Sequence, residues 1–532
     1  MLKILIASLL LLLTFPSLEG KNPPKDPNGQ NQIRNEERAS LREPCQPGIS
    51  RATQDINNVR ALLLINGDCW WDGSTAQYIV PKPAEGELGV SAIFAGAVWI
   101  GGFDDGGSLK LAAKTFGANN GNTDFWPGPI NLDPDLEDDV LCSRWDKHFE
   151  VLGSDIDAHL RNYQEAINNE VDYEIEDIPV SVLGWPATGN VYFESVHGFE
   201  LPVDPTMAGL GGFFDRDGDD AYEPEDGDYP VIEIRGCPDE QYADQMFFWV
   251  YNDDANVHSQ SQSSQPMSME VQVQSFAYKS NDDLDDMTFQ RYKLINRGTE
   301  PLDSTFFAMW VDPDLGCHLD DYIGCDVERD LAYIYNSDLV DGATPGSCDC
   351  EGTPTYCTEI PLLGIDYFRG PLDEGGNEIG MSSFVYYNNP GGIPTPPSGT
   401  TDPQQAQEFY NYLSGSWLDG APFTEGGNGR GGTIPTKYVF PGRPSVDTEW
   451  TMAQGEGLPN GDRRTLQASG PFRLTPGATN ELIIGAVFVP DVPAHPRVDL
   501  TTLLFADDIA QAAFDNCFEI PDGPDAPDVD WL

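Results

Sequence analysis

Between residues 215 and 228 the chain reads Asp215-Arg216-Asp217-Gly218-Asp219-Asp220-Ala221-Tyr222-Glu223-Pro224-Glu225-Asp226-Gly227-Asp228. Calcium takes about six to eight hard oxygen ligands, and a loop with acids at its first, third and fifth positions wraps around the ion. Asp215, Asp217 and Asp219 stand at those positions, the backbone oxygen of Ala221 falls at the seventh, Glu223 at the ninth and Asp226 at the twelfth. The loop departs from the EF-hand form at Asp220, where glycine is usual, although Asp tolerates a positive φ better than most residues. It departs again at Asp226, which replaces the bidentate Glu, and Pro224 argues against a following helix. The nearer analogue is the helix-less calcium loop of extracellular β proteins, in which Asp228 replaces or joins Asp226. The competing reading is an acidic surface turn; the D-x-D-x-D spacing favours Ca²⁺.

A second group comprises Asp312, Asp314, Asp320, Asp321 and Asp326, with His318 among them. Three readings stay open: another calcium site, a pair of catalytic carboxylates, or solvated acids in a loop stapled by Cys317 and Cys325. The ten cysteines point to disulfides if the chain is exported. Cys348-Asp349-Cys350 followed by Cys357 invites a zinc reading, since thiolates favour Zn²⁺. No paired C-x-x-C is present, however, and disulfides are the expectation.

The chain carries no G-x-S-x-G, H-E-x-x-H, P-loop or dinucleotide-type glycine loop. The six histidines are spread singly, which suits hydrogen-bonded structural residues, so any catalysis would run on carboxylates. A glycan-directed alternative rests on Trp70, Trp71, Trp126 and Trp185 as stacking platforms beside an Asp pair. The competing reading places these indoles in the core of a β body.

The elements that would position these groups are mainly β. Short apolar runs alternate with Gly, Pro, Asn and Asp clusters, which predicts a multi-lobed β-sandwich-like body with a few short helices. Met267, Met269, Val271 and Val273 alternate with Ser268, Glu270, Gln272 and Gln274, predicting one buried and one wet face. At Ser275 the phase flips toward Phe276 and Tyr278, predicting a β-bulge. The segments 291–296 and 304–311 flank Arg297-Gly298-Thr299-Glu300-Pro301 as a hairpin would, and 482–489 reads as a central strand. Ser154-Asp155-Ile156-Asp157 resembles a capping box before a helix with Ile156, Leu160, Tyr163 and Ile167 on one face. A second helix is expected over about 500–514.

Residues 1–20 read as a signal peptide, too short an apolar run to span a bilayer, and 21–54 as a flexible tether. An N-terminal β-rich lobe is expected over 55–205 and a β-sandwich-like lobe with the calcium loop over 206–517. Residues 518–532 read as a linker to a missing downstream domain. The formal net charge of −58, with 87 Asp+Glu against 29 Lys+Arg, repels nucleic acid and anionic membranes. With 39% hydrophobic and 11% aromatic residues, the chain is nevertheless apolar enough to fold.

Several motifs occur in order: Asn57–Leu63, Gly67-Asp68-Cys69-Trp70-Trp71-Asp72, Ala95–Gly102, Asp124-Phe125-Trp126-Pro127-Gly128-Pro129, Gly227-Asp228-Tyr229-Pro230, Phe248–Asp253, Asp312-Pro313-Asp314-Leu315-Gly316 and Asp321–Asp326. As a set, over roughly 55–520, the chain resembles large exported proteins of Bacteroidota that usually end in a type IX secretion sorting domain. The resemblance implies a secreted or cell-surface β-rich protein with 215–228 as its calcium site. It carries no activity over, and members commonly continue into further β domains and the sorting signal. The expected function is that of a calcium-binding structural or adhesive protein without evident catalysis, whose partners are cell-surface glycans or other surface proteins. The alternative is a carbohydrate-active protein, either a glycosidase or a lectin-like binder.

Overall fold

The computed structural model describes residues 44–518, apart from 85, 117–121, 134–135, 203–208, 238–240, 263, 392–394, 455–458 and 491–497. The expected signal peptide, residues 21–43 of the tether and 519–532 of the linker lie outside the described residues; in the rest of the tether span Cys45 bonds Cys142 and Arg51–Gln54 is a strand paired with Arg60–Leu64.

The protein is mainly β, built on two large antiparallel sheets. One runs in the order Met381–Asn388, Arg463–Leu474, Leu302–Asp312, Ala95–Phe103, Asp68–Cys69, Arg60–Leu64, Tyr78–Ile79, Ser91–Ile93. The other runs Asp321–Asp326, Leu331–Asn336, Leu362–Arg369, Thr479–Val489, Met287–Asn296, Met269–Ala277, Gln245–Asn252, Trp126–Pro127. Their facing surfaces share one apolar core in which Val98, Ile100, Phe307 and Met309 of the first sheet join Val271, Tyr292, Ile365 and Ile484 of the second. The far face of the second sheet forms another core with the helices Gly153–Asn169 and Thr501–Asp515. Residues from Pro44 on make one compact unit, and each sheet takes strands from both sides of the boundary expected near residue 205.

Strand Thr479–Val489 is central, paired to Met287–Asn296 and Leu362–Arg369, as its two-sided apolar pattern predicts. The expected 291–311 hairpin does not form. Met287–Asn296 lies in one sheet and Leu302–Asp312 in the other, so the intervening residues cross the sandwich. A second crossing joins Arg463–Leu474 to Thr479–Val489, and Asn296 ties the two together: its N–H donates to Ala478 O (3.1 Å) and its Nδ2 to Leu474 O (3.0 Å). Alternating patterns specify which face is buried but not which sheet receives the strand.

The bulge at Ser275 is also absent. Met269–Ala277 keeps an unbroken register with both neighbours. Phe276 lies on the same face as Glu270, Gln272 and Gln274, and what changes is the layer above. Phe276 meets Phe514 (6.3 Å between ring centroids), whereas Gln272 and Gln274 donate to Gly209 O (2.9 Å) and Val231 O (2.7 Å). Glu270 pairs with Arg297 (2.9 Å). The face expected to be wet is therefore buried but polar. Helix Gly153–Asn169 forms without its predicted cap, because strand Phe149–Leu152 runs straight into it and Gly153 N donates to Asp244 O (2.9 Å). A Cβ at Gly153 would sit 2.9 Å from Ala243 O, so the close approach requires glycine. Ile156 packs into the core, but Ile167 is exposed.

Candidate metal centre and an acidic cleft

The loop 215–228 is closed at its base by the short pairing of Phe213–Phe214 with Tyr229–Pro230. Inside it, the Asp215 carboxylate accepts from Gly218 N (2.7 Å) and Asp220 N (2.8 Å), and Asp220 adopts φ 65°, as its position predicts. Tyr222 is buried and its hydroxyl donates to Val182 O (2.8 Å), pinning the loop to the helical layer. The one basic residue of the loop, Arg216, turns onto Tyr163 (4.9 Å) and Gly227 O (3.3 Å), leaving the acids to face one another.

Two groups of carboxylates result. Asp215, Asp217 and Asp219 each offer an oxygen within 4.8 Å of the others, and so do Asp217, Glu223 and Asp226. Asp217 belongs to both. The one-turn helix Pro224–Asp226 carries Asp226 back toward Asp217. Asp228 takes a different part. It is buried, and its two oxygens accept from Arg216 N and Glu223 N, both at 2.9 Å, so it braces the loop across its width. The carboxylate of Asp219, then burial and Asp226, push the Glu223 carboxyl up. Burial acts to raise Asp215, but the N–H groups of Asp220, Gly218 and Asp219 outweigh it and hold that carboxyl low. The donors are hard oxygens on a backbone that is already hydrogen-bonded, a set that could hold a hard metal ion.

The second acidic group does not form one site. Asp312 and Asp314 meet Asp462, all three within 4.8 Å, in a cleft of ≈ 580 Å³ that also exposes Arg60, His318 and Phe94. Arg464 reaches Asp312 (3.4 Å) and Asp462 (3.1 Å) while stacking over Phe116 (5.4 Å). Burial, opposed by Arg464, pushes Asp312 up to about 7. Burial and then the Asp312 charge drive Asp314 higher. Asp462 lies far from Asp312 in sequence, and only the pairing of Leu302–Asp312 with Arg463–Leu474 joins them. Asp320 instead meets Asp341, a residue the spacing did not single out. Asp326 belongs with neither group: it pairs with Arg329 (3.3 Å).

The staple expected between Cys317 and Cys325 is not present. Cys317 bonds Cys350, Cys348 bonds Cys357, Cys45 bonds Cys142 and Cys237 bonds Cys517. Cys325 lies on a strand whose side chain enters the sandwich core, where it is a free thiol like Cys69. With Cys348, Cys350 and Cys357 all oxidised, no thiolate remains there for zinc.

Of the candidate sugar platforms, Trp70, Trp126 and Trp185 are buried. Trp71 is partly exposed and packs on Phe94 (5.7 Å) and Phe116 (5.9 Å) beside the cleft. His258 contacts Ser264 Oγ (2.7 Å) in a buried network with Ser261 and Asp124. Its ring nitrogens also face Leu111 O (2.9 Å) and Asp253 O (2.6 Å).

No helix among the described residues is long and apolar enough to cross a membrane. No protein-family model matches the chain, and no curated protein is similar enough in sequence to count as a relative.

Proposed function

We propose that the protein is a calcium-binding structural or adhesive protein of the secreted or cell-surface compartment, with Ca²⁺ held by the loop 215–228. The observation that carries this reading is the pair of carboxylate groups sharing Asp217, set on a loop whose only basic residue is engaged elsewhere. Asp215, Asp217, Asp219, Glu223 and Asp226 supply the side-chain oxygens, the Ala221 carbonyl completes the set, and Asp228 holds the loop in shape. Four disulfides support an oxidising compartment. Cell-surface glycans or other surface proteins are the partners this reading implies, and the resemblance to exported Bacteroidota proteins agrees with it. Thermal melting with Ca²⁺ and with EDTA tests it. Calcium raises the melting temperature if the site binds, and a curve indifferent to both overturns the proposal.

A second reading, a carbohydrate-active protein, draws support from the cleft where Asp312, Asp314 and Asp462 converge. Two carboxyl groups converging in a cleft, one of them, Asp314, raised by burial and by the Asp312 charge, are the kind of pair that glycoside chemistry uses. A glycan array and a screen of chromogenic glycosides test this reading. Signal in either that Asp462→Asn abolishes supports it, and silence in both removes it.

A further inference from the structure

We propose a second divalent-cation site, separate from the loop 215–228, buried where the segment closed by the Cys317–Cys350 disulfide meets the strand Asp321–Asp326, with Asp320, Asp341 and the Asn336 amide as its oxygen donors and the Asp321 carboxylate adding negative charge beside them. Carboxylate oxygens of Asp320 and Asp341 lie within 4.8 Å of each other and of Cys317 Sγ. That sulfur is committed to Cys350, so the available ligands are oxygens and the cation is a hard one.

The hydrogen bonds divide each carboxylate in a consistent way. Asp320 Oδ2 accepts from Gly342 N (2.9 Å) and Asp321 Oδ2 from Leu315 N (3.0 Å). Asp341 accepts from Cys317 N (2.8 Å) and Tyr356 N (2.5 Å). The backbone thus fixes all three side chains, yet Asp320 Oδ1 and Asp321 Oδ1 have no donor. Asn336 sits directly opposite Asp321 across the strand pair, and its amide bears on the Asp320 carboxyl. Its own Oδ1 also lacks a donor. Exposure is 3% for Asp320, 5% for Asp321, 2% for Asn336 and 0% for Asp341, so bulk water does not supply the missing partners.

Buried carboxylates persist only when paired or coordinated. Asp312 and Asp462 have Arg464. Around Asp320, Asp321 and Asp341 the charges within reach are further carboxylates, Asp338 and Asp314. A cation here would satisfy the orphaned oxygens of Asp320 and Asn336 and tie the doubly cross-linked segment 337–357 to the sandwich. A closed, all-oxygen site of this kind suits Ca²⁺ better than Mg²⁺, which keeps much of its water.

The test is metal content per chain, measured by mass spectrometry after equilibration with Ca²⁺ and gel filtration, on the full protein and three variants. The wild type should hold two equivalents. Asp217→Asn should remove only the ion of the 215–228 loop, and Asp320→Asn only the buried one. Asp320→Asn with Asp217→Asn should leave none. Asparagine keeps the shape and the Gly342 acceptor, and circular dichroism verifies folding. A wild type holding one equivalent that Asp217→Asn abolishes overturns this inference while the proposed function stands. One equivalent that survives Asp217→Asn but not Asp320→Asn supports the buried site and removes the surface one. No bound metal in any form means that protons neutralise the cluster, and the inference fails. If Asp320→Asn does not fold, Asp341→Asn takes its place: an ion that Asp217→Asn keeps and Asp341→Asn loses is the buried one, and an ion that both keep overturns the inference.

Discussion

Asp366, on the strand Leu362–Arg369, and Asp507, on the helix Thr501–Asp515, lie carboxyl beside carboxyl in the interface between sheet and helix. Both are almost wholly buried. Two carboxyls in that position share a proton, because two adjacent charges in an apolar layer are prohibitive. Burial, then the neighbouring Asp508, push Asp507 up to about 7 against the pull of Arg329, with Asp326 adding to the rise. Burial and Asp507 drive Asp366 further, with Asp330 contributing.

The sign of the pH effect follows. The folded state holds these protons to higher pH than the unfolded chain, whose aspartates titrate near 3.9. The pair therefore contributes most below about pH 4, and its contribution declines as pH rises to about 7 and beyond. Asp507→Asn removes the charge and keeps a donor to Asp366. Relative to wild type it should melt about 1–3 °C higher at pH 8 and nearly unchanged at pH 4.5. Melting curves across that range check this, and a pH-independent difference would refute the shared proton.

The same helix is held by rings. Phe514 stacks on Phe368 (4.9 Å) and meets Phe289 edge-on (5.2 Å), at no exposure to solvent. Phe514→Ala leaves a cavity that two sheet strands and a helix cannot close, at a cost of about 3–5 kcal/mol. Denaturant unfolding measures it. Phe505, 63% exposed on the same helix, should tolerate the same change within about 0.5 kcal/mol.

Much of this was legible from the residues. The central strand 482–489, the two long helices and the acidic loop all announce themselves through local period or spacing, since each depends on neighbours in sequence. Asp462 and Asp341 did not, because each joins its partners only through pairing or disulfide closure. The polar face of Met269–Ala277 misled for a related reason. Alternation reports which face is apolar, and Glu270, Gln272 and Gln274 are polar yet covered, each meeting a hydrogen-bond or ion-pair partner in a layer far along the chain. The crossing at Arg297–Pro301 reads locally as a hairpin because a turn specifies reversal, not which sheet follows.

In the acidic loop, position decides how a substitution acts. Asp217 belongs to both carboxylate groups and accepts none of the hydrogen bonds that shape the loop, so Asp217→Asn should weaken Ca²⁺ binding by about tenfold or more, roughly 1.4 kcal/mol. Without calcium its melting temperature should match the wild type. Asp228→Ala removes the brace between Arg216 N and Glu223 N and should lower stability with or without the ion. Calorimetric titration paired with melting separates the two. Equal losses of both properties in both variants would contradict the division of roles.

The thiols give a prediction free of any metal. Cys69 and Cys325 are buried free thiols, and burial, reinforced by Asp68 and Asp326 respectively, pushes both far above the range in which thiolate forms. A thiol reagent acts on the thiolate, so the folded protein should show no reaction. Unfolded without reductant it should show two thiols, and after full reduction ten. Access also orders the bridges. Cys348 is exposed, whereas Cys317 and Cys350 are sealed at 0%. Limited dithiothreitol followed by alkylation and peptide mapping should therefore label Cys348 and Cys357 before Cys317 and Cys350. Four thiols in the unfolded, unreduced chain would mean that one bridge is absent. Early labelling of Cys317 would mean that the segment opens as a unit, which the hydrogen bonds of Asp341 to Cys317 N and Tyr356 N argue against.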